Sequence, residues 1–142
     1  MITQGVRVTC RCGRCGGAVQ QDIGQFIERG MLRWSSEGRC ERCADGWCEQ
    51  DSGPTTPEHI RQLLLQAHGP ARLRLSGDAP SLVPVLKALR TAHELSLREA
   101  RLRADRLGEV GLVGTLVEME FLALHLRAHA LAVTVESAAE RP

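Results

Sequence analysis

Tyrosine is absent from this chain of 142 residues, two Phe and two Trp supply its aromatic rings, and a single lysine, Lys87, stands among 17 arginines. So few rings leave little for stacking on nucleobases, and a formal charge of +1 gives no global field to draw in a polyanion. The arginine excess reads as coding bias rather than chemical need. No run of 18 apolar residues exists, and the opening MITQGVRV lacks the basic-then-apolar order of a signal peptide. Membrane insertion and Sec export are not expected, and a cytoplasmic location is. A Gly-rich phosphate loop, a nucleophile elbow and a paired-carboxylate motif are also missing, so the chain is not expected to be an enzyme.

Cysteine is what the first third has in quantity: Cys10, Cys12, Cys15, Cys40, Cys43 and Cys48. Two Cys-x-x-Cys pairs, Cys12/Cys15 and Cys40/Cys43, stand 24 residues apart, which is the spacing of a zinc ribbon. Each pair presents two thiolates on one tight turn, with Gly16 relieving the backbone, and two turns complete a tetrahedron around a structural Zn²⁺. Disulfides would need an oxidising compartment that nothing here indicates. A redox pair would open a helix, which Gly-Arg-Cys-Gly-Gly does not. Spacing alone does not fix which four of six bind; Cys12, Cys15, Cys40 and Cys43 are the assignment. Cys10 and Cys48 are then spare thiols, a close pair, or substitutes for one ligand.

A segment as short as Val6–Glu49 has too little apolar surface to fold unaided, so metal binding has to supply much of its folding free energy. Within it, Gly17–Gln21 and Met31–Ser35 read as short strands, and Asp22 as the cap of a turn or short helix through Glu28. Phe26, Ile27, Leu32 and Trp34 are the expected core. Trp47 would either cover the metal or face a partner.

Polar 49–56, EQDSGPTT, reads as the boundary. The expected divisions are a zinc-ribbon-like domain over 1–50, a linker and short helix over 51–70, and a second domain over 71–142. Thr56 and Pro57 open the short helix, whose stripe is Ile60, Leu63, Leu64 and Ala67; it should pack between the domains or on the second. Beyond it, Ala71–Ser76 alternates as a half-buried strand, and Gly77–Pro80 turns into a helix with the stripe Leu82, Val85, Leu86 and Leu89. Ser96 and Glu99 form a capping box for the next helix, which buries Leu97, Ala100, Ala104 and Leu107 and ends at Gly108. Glu109–Val113 is a strand, Thr115 and Glu118 cap a helix over Leu116–Ala130, and Leu131–Val135 is the last strand. The order strand–helix–helix–strand–helix–strand demands an α+β fold of two layers. His59 and His68 read as solvated, His93 as a helix-end residue, and His125 with His129 as a pair without a further ligand.

The run Leu86, Lys87, Ala88, Leu89, Arg90, followed by Leu95, Ser96, Leu97, Arg98, Glu99, Ala100 and Arg101, resembles the C-terminal domain of the bacterial large-subunit ribosomal stalk protein. The likeness covers about 71–136 and implies the same two-layer fold, shared with the adaptor that delivers N-degron substrates to a Clp protease. In the stalk family the helical hairpin recruits translational GTPases. The resemblance thus implies a partner-binding role for Val83, Lys87, Arg90, Arg98 and Arg101. The chain departs from the family at Glu94 and Ser96, where the family has glycines, and lacks its dimerisation segment and Ala-rich hinge.

The leading expectation is therefore a non-catalytic, zinc-binding protein-interaction module, its partner a translational GTPase or the ribosome. The alternative is a nucleic-acid-binding zinc ribbon with Arg7, Arg11, Arg14, Arg39 and Arg42 as contacts and the second domain as effector.

Overall fold

A computed structural model describes residues 2–77 and 81–138; the expected turn at 77–80 lies outside them beyond Gly77. Among the described residues the fold is mixed α+β, with two antiparallel sheets and four helices. The chain forms two compact units, Met1–Ala67 and His68–Pro142.

In the first unit, β1 (Thr3–Arg11), β2 (Ala18–Glu28), β3 (Met31–Cys40) and β4 (Gly46–Ser52) make one antiparallel meander in that order. The period of two carries the design. Val6, Ile23 and Ser36 share a row on one face, flanked along β2 by Val19, Gln25 and Ile27, all buried. Helix α1 (Glu58–His68) lays Ile60 and Leu64 on Ile23, with Val6, Val8, Trp34 and Leu63 around them. Full burial of two such side chains stabilises by roughly 1.5–3 kcal/mol each. This helix, expected between the domains or on the second, thus belongs to the first sheet: its stripe declares an apolar face but not what covers it.

Three further expectations change. Asp22 caps no helix; it sits mid-way along β2, and its carboxylate accepts from Arg7 Nε at 2.8 Å across the sheet. Burial alternates from Ile23 through Gln25 to Ile27, and pairing on both sides holds the strand extended. Phe26 leaves the core, because the pleat that buries Ile27 must turn its neighbour to the opposite face, beside Arg33. The polar stretch taken as a boundary begins inside β4, which pairs with β3 from Gly46–Arg39 to Ser52–Arg33. An edge strand is held by backbone hydrogen bonds, so it needs no apolar period, and β4 is exposed almost throughout.

In the second unit, β5 (Ala71–Leu75) lies between β6 (Leu112–Gly114) and β7 (Val133–Ser137), antiparallel to both. Ala71, Leu73, Leu112 and Val133 are buried, while Arg74, Val113, Thr134 and Glu136 are exposed. Three helices, α2 (Leu82–His93), α3 (Leu97–Glu109) and α4 (Leu116–Ala128), complete the unit. Helix α4 packs on β5 and β7, and α3 on β5. Both expected capping boxes are present: Ser96 Oγ accepts from Glu99 N at 3.2 Å, and Thr115 Oγ1 from Glu118 N at 3.1 Å, each reciprocated by the glutamate. Ser81 caps α2 more simply, its Oγ accepting from Val83 N at 3.3 Å with no reciprocal side chain among the described residues.

The α2 stripe is turned from the expected one. Val85, Ala88, Leu89 and Ala92 are buried, whereas Leu82 is 45% exposed and Leu86 only half-buried. Two alanines on the buried line allow close approach of neighbouring helices, which the Leu-based reading overlooked. On α3, Ala100, Ala104 and Leu107 are buried as expected, but Leu97 is exposed. Gly108 lies inside the helix. The left-handed glycine is Gly111, with φ of 90° and its Cα so close to β5 that a Cβ would stand 2.7 Å from Leu73 O.

Candidate metal centre

Two β-turns at one end of the first sheet build the centre. Cys12 and Cys15 lie in the β1–β2 turn, and Cys40 and Cys43 at the β3–β4 turn. The turns repeat one backbone pattern: Cys12 N donates to Gly17 O at 2.8 Å, and Cys40 N to Asp45 O at 2.7 Å. Each also needs a left-handed residue after its second cysteine, Gly16 at φ 75° in the first and Ala44 at φ 62° in the second. The registers Cys10–Val19 and Val19–Cys40 set the two turns side by side. They approach so closely that a Cβ on Gly17 would meet Arg42 Cβ at 2.8 Å and Cys15 Sγ at 3.2 Å.

All four sulfurs lie within 4.8 Å of one another. Cys12 Sγ is 3.8 Å from Cys43 Sγ, and Cys15 Sγ is 3.5 Å from Cys40 Sγ. A tetrahedral Zn²⁺ with bonds of about 2.3 Å spaces its sulfurs about 3.8 Å apart, so the set has the dimensions of that site. The four are free thiols. The turns supply backbone donors as well: Arg14 N to Cys12 Sγ (3.4 Å), Gly17 N to Cys15 Sγ (3.3 Å), and Arg42 N (3.4 Å) and Cys43 N (3.5 Å) to Cys40 Sγ.

These donors separate the thiols. At Cys40 the N–H groups of Cys43 and Arg42 favour the thiolate and bring the group down to about 6. At Cys15 the Gly17 N–H pulls the same way, but the Cys40 thiol, burial and the remaining two thiols outweigh it and hold the group at about 12. Four thiolates side by side cannot ionise together without a cation, and that demand is what a metal site of this type satisfies. No protein-family model, curated protein or solved structure matches this chain.

The two remaining cysteines take different places. Cys10 packs against the pair Cys12 and Cys40, yet its thiol turns to Gln21 Oε1 at 3.9 Å. Cys48 is exposed on β4, in register with Glu37 and on the opposite edge of the sheet from Cys10. Three strand spacings of about 4.8 Å part β1 from β4, well beyond the reach of about 7 Å that a disulfide allows. They are not a close pair.

Sequence reasoning missed a polar chain behind the centre. Gln21 Nε2 donates to Ser36 Oγ at 3.1 Å, and Trp47 Nε1 donates to the same oxygen at 3.2 Å. The Trp47 ring lies on Gly38, where a Cβ would stand 2.4 Å from Cη2. Trp47 is thus pinned across β3 on the face that carries Cys40, with 38% of its surface exposed. A glycine in the middle of a strand pattern was the available signal.

The residues expected to bind a partner lie elsewhere, in the second unit. Val83 is 54% exposed, and Lys87, Arg90, Arg98 and Arg101 are exposed too. Lys87 and Arg90 line a surface hollow of about 520 Å³ together with Glu94, Leu95 and His129; Arg98 and Arg101 do not line it. Arg90 Nε donates to Leu95 O at 3.2 Å, so part of this cation ties down the turn between the helices. Leu97 and Leu102, 50% and 62% exposed, add apolar surface on α3.

His125 stacks edge-to-face on Phe121 at 4.8 Å, and His93 meets the same ring at 6.0 Å. Burial first, and then the charge of His129, lower His125 from its ordinary value. Among the described residues the cysteine cluster is the group placed to hold a metal.

Proposed function

We propose that the chain is a zinc-binding protein-interaction module, in which the metal holds the first unit in shape and exposed helix surfaces of the second unit are used for contact. The four-sulfur cluster carries the first half of this reading. Cys12, Cys15, Cys40 and Cys43 would hold the ion, and an all-thiolate tetrahedral set selects zinc or iron over harder cations. With all four positions filled by sulfur, no open coordination site remains for a substrate, so the zinc is structural rather than catalytic.

For the second half, the resemblance of 71–136 to the ribosomal stalk domain directs the partner to a translational GTPase or the ribosome, in the cytoplasm. Val83 and the exposed leucines offer apolar anchors, while Lys87, Arg90, Arg98 and Arg101 offer charges that raise the rate of encounter with an acidic surface. The test uses purified translational GTPases and ribosomes against the wild-type chain and the double variant Lys87→Glu/Arg90→Glu. Saturable binding that is lost in the double variant supports the interface. Binding by neither partner, or equal binding by both chains, removes it.

A nucleic-acid reading has one observation in its favour: by register, Arg7, Arg11 and Arg39 share the sheet face turned away from α1. That face is nevertheless balanced, since Arg7 is paired with Asp22 and Glu37 stands in the same row. RNA or DNA binding at low salt, falling steeply as salt is added, would favour it over the protein interface.

A further inference from the structure

We infer that Cys43 is the entry point for hydroperoxide oxidation of the cluster, and that the product is a cross-link between the two turns, Cys12 to Cys43. This rests on the reading of the four cysteines as a metal site. The sulfurs are not equivalent. Cys12 and Cys40 are buried and Cys15 is half-buried, but Cys43 is exposed in a turn where every residue from 41 to 46 is exposed. Among the described residues no backbone N–H donates to Cys43 Sγ, whereas Cys12 and Cys15 each receive one such bond and Cys40 receives two. An N–H bond to a thiolate draws off charge and lowers its nucleophilicity. The cysteine most open to solvent is therefore also the one whose sulfur gives up least charge to backbone donors.

The partner in the cross-link follows from distance. The sulfur contacts of 3.8 Å (Cys12–Cys43) and 3.5 Å (Cys15–Cys40) both run between the turns. Cys43 attacks the outer oxygen of the hydroperoxide, breaking the O–O bond; it becomes a sulfenic acid, and the alkoxide that leaves takes up a proton. Cys12 sulfur then attacks Cys43 sulfur, forming the disulfide and expelling hydroxide, which leaves as water. Two electrons pass from the two thiolates to the peroxide. Cys15 and Cys40, left as two donors, no longer complete a tetrahedron and take up a proton each as the metal is given up.

The test begins with the metal content of the full chain carrying Cys10→Ser and Cys48→Ser, which removes the other two thiols. The zinc-loaded protein is treated with hydrogen peroxide beside a chromophoric zinc chelator. Modified thiols are mapped by alkylation and mass spectrometry over time. The expected result is first modification at Cys43, then a Cys12–Cys43 cross-link, with one zinc released per cross-link. First modification at Cys12, Cys15 or Cys40, cross-links within a turn (Cys12–Cys15 or Cys40–Cys43), or cross-linking without zinc release would overturn it. Stoichiometric zinc with the wrong thiol chemistry removes this inference alone, whereas protein that binds no metal removes the metal reading beneath it as well.

Discussion

Gly16 and Gly17 are adjacent and do different work. Gly16 has open space around it and a left-handed backbone, so Ala there costs conformational strain alone. At Gly17 the missing side chain is filled by Arg42 from the other turn. Gly17→Ala should push the turns apart and lower zinc affinity by about 10-fold, the lower end of the range for residues that orient ligands. Gly16→Ala should weaken it less. Competition against a chromophoric chelator measures both. The spacing of the cysteines made the four-sulfur cluster legible, yet it gave Gly17 no role, because that role depends on a residue 25 positions away. Phe26 and Trp47 were misplaced or unplaced for the same reason: the face a strand residue takes is set by register with its neighbours.

His125 gives a residue-scale prediction with a definite sign. Its folded-state value is lowered, chiefly by burial and secondly by His129, so the unfolded chain binds the proton more readily. Its contribution to stability is complete above the ordinary value of 6.5 and is lost as pH falls from there through the folded value. In an NMR titration the His125 ring should show a midpoint below 6.5, and His129→Gln should raise it part of the way back. A midpoint at or above the ordinary value would contradict the packing of this ring against Phe121.

Among elements, the helix starts of the second unit were the most legible features, since a capping box is a local pattern complete within four consecutive residues. Ser96→Ala should destabilise by about 1 kcal/mol in urea unfolding, for the loss of one cap. Glu94, the C-cap of α2, stands at φ 52° and ψ 41°, a left-handed conformation that costs a residue with a Cβ. Glu94→Gly should stabilise by about 1 kcal/mol through relief of that strain. The helix ends were less legible. Gly108 has the residue type of a terminator, but α3 runs on to Glu109, and it is Gly111 that donates to Arg106 O at 2.8 Å while fitting against β5. Strand β4 was hidden altogether, because backbone pairing along an edge leaves no trace in side-chain polarity.

For the molecule as a whole, the α+β class, the order of elements from β5 to β7 and the four-sulfur cluster could be read from the chain. The covering of the first sheet by α1 could not, since an apolar stripe does not name its partner. The first unit buries Ile23, Ile60 and Leu64 in one cluster and Cys12, Val19 and Cys40 in another, with Ile27 and Leu32 buried as well, a small core for so many strands. Metal binding worth on the order of 10 kcal/mol is comparable to what burial of those side chains supplies, so the unit's stability should fall steeply when the metal is removed. A strong chelator at neutral pH should accordingly unfold the first sheet, seen as loss of slow amide exchange in β2 and β3. The α4 amides of the second unit should stay protected.

The account depends most on the metal, and the direct measurement is native mass spectrometry of the freshly purified full chain under reducing conditions. One zinc ion per chain, lost together in a Cys12→Ser/Cys40→Ser variant, is the predicted result. A wild-type chain that keeps its sheet with no metal bound, or whose native mass shows Cys12 or Cys15 already joined to Cys40 or Cys43, would contradict it.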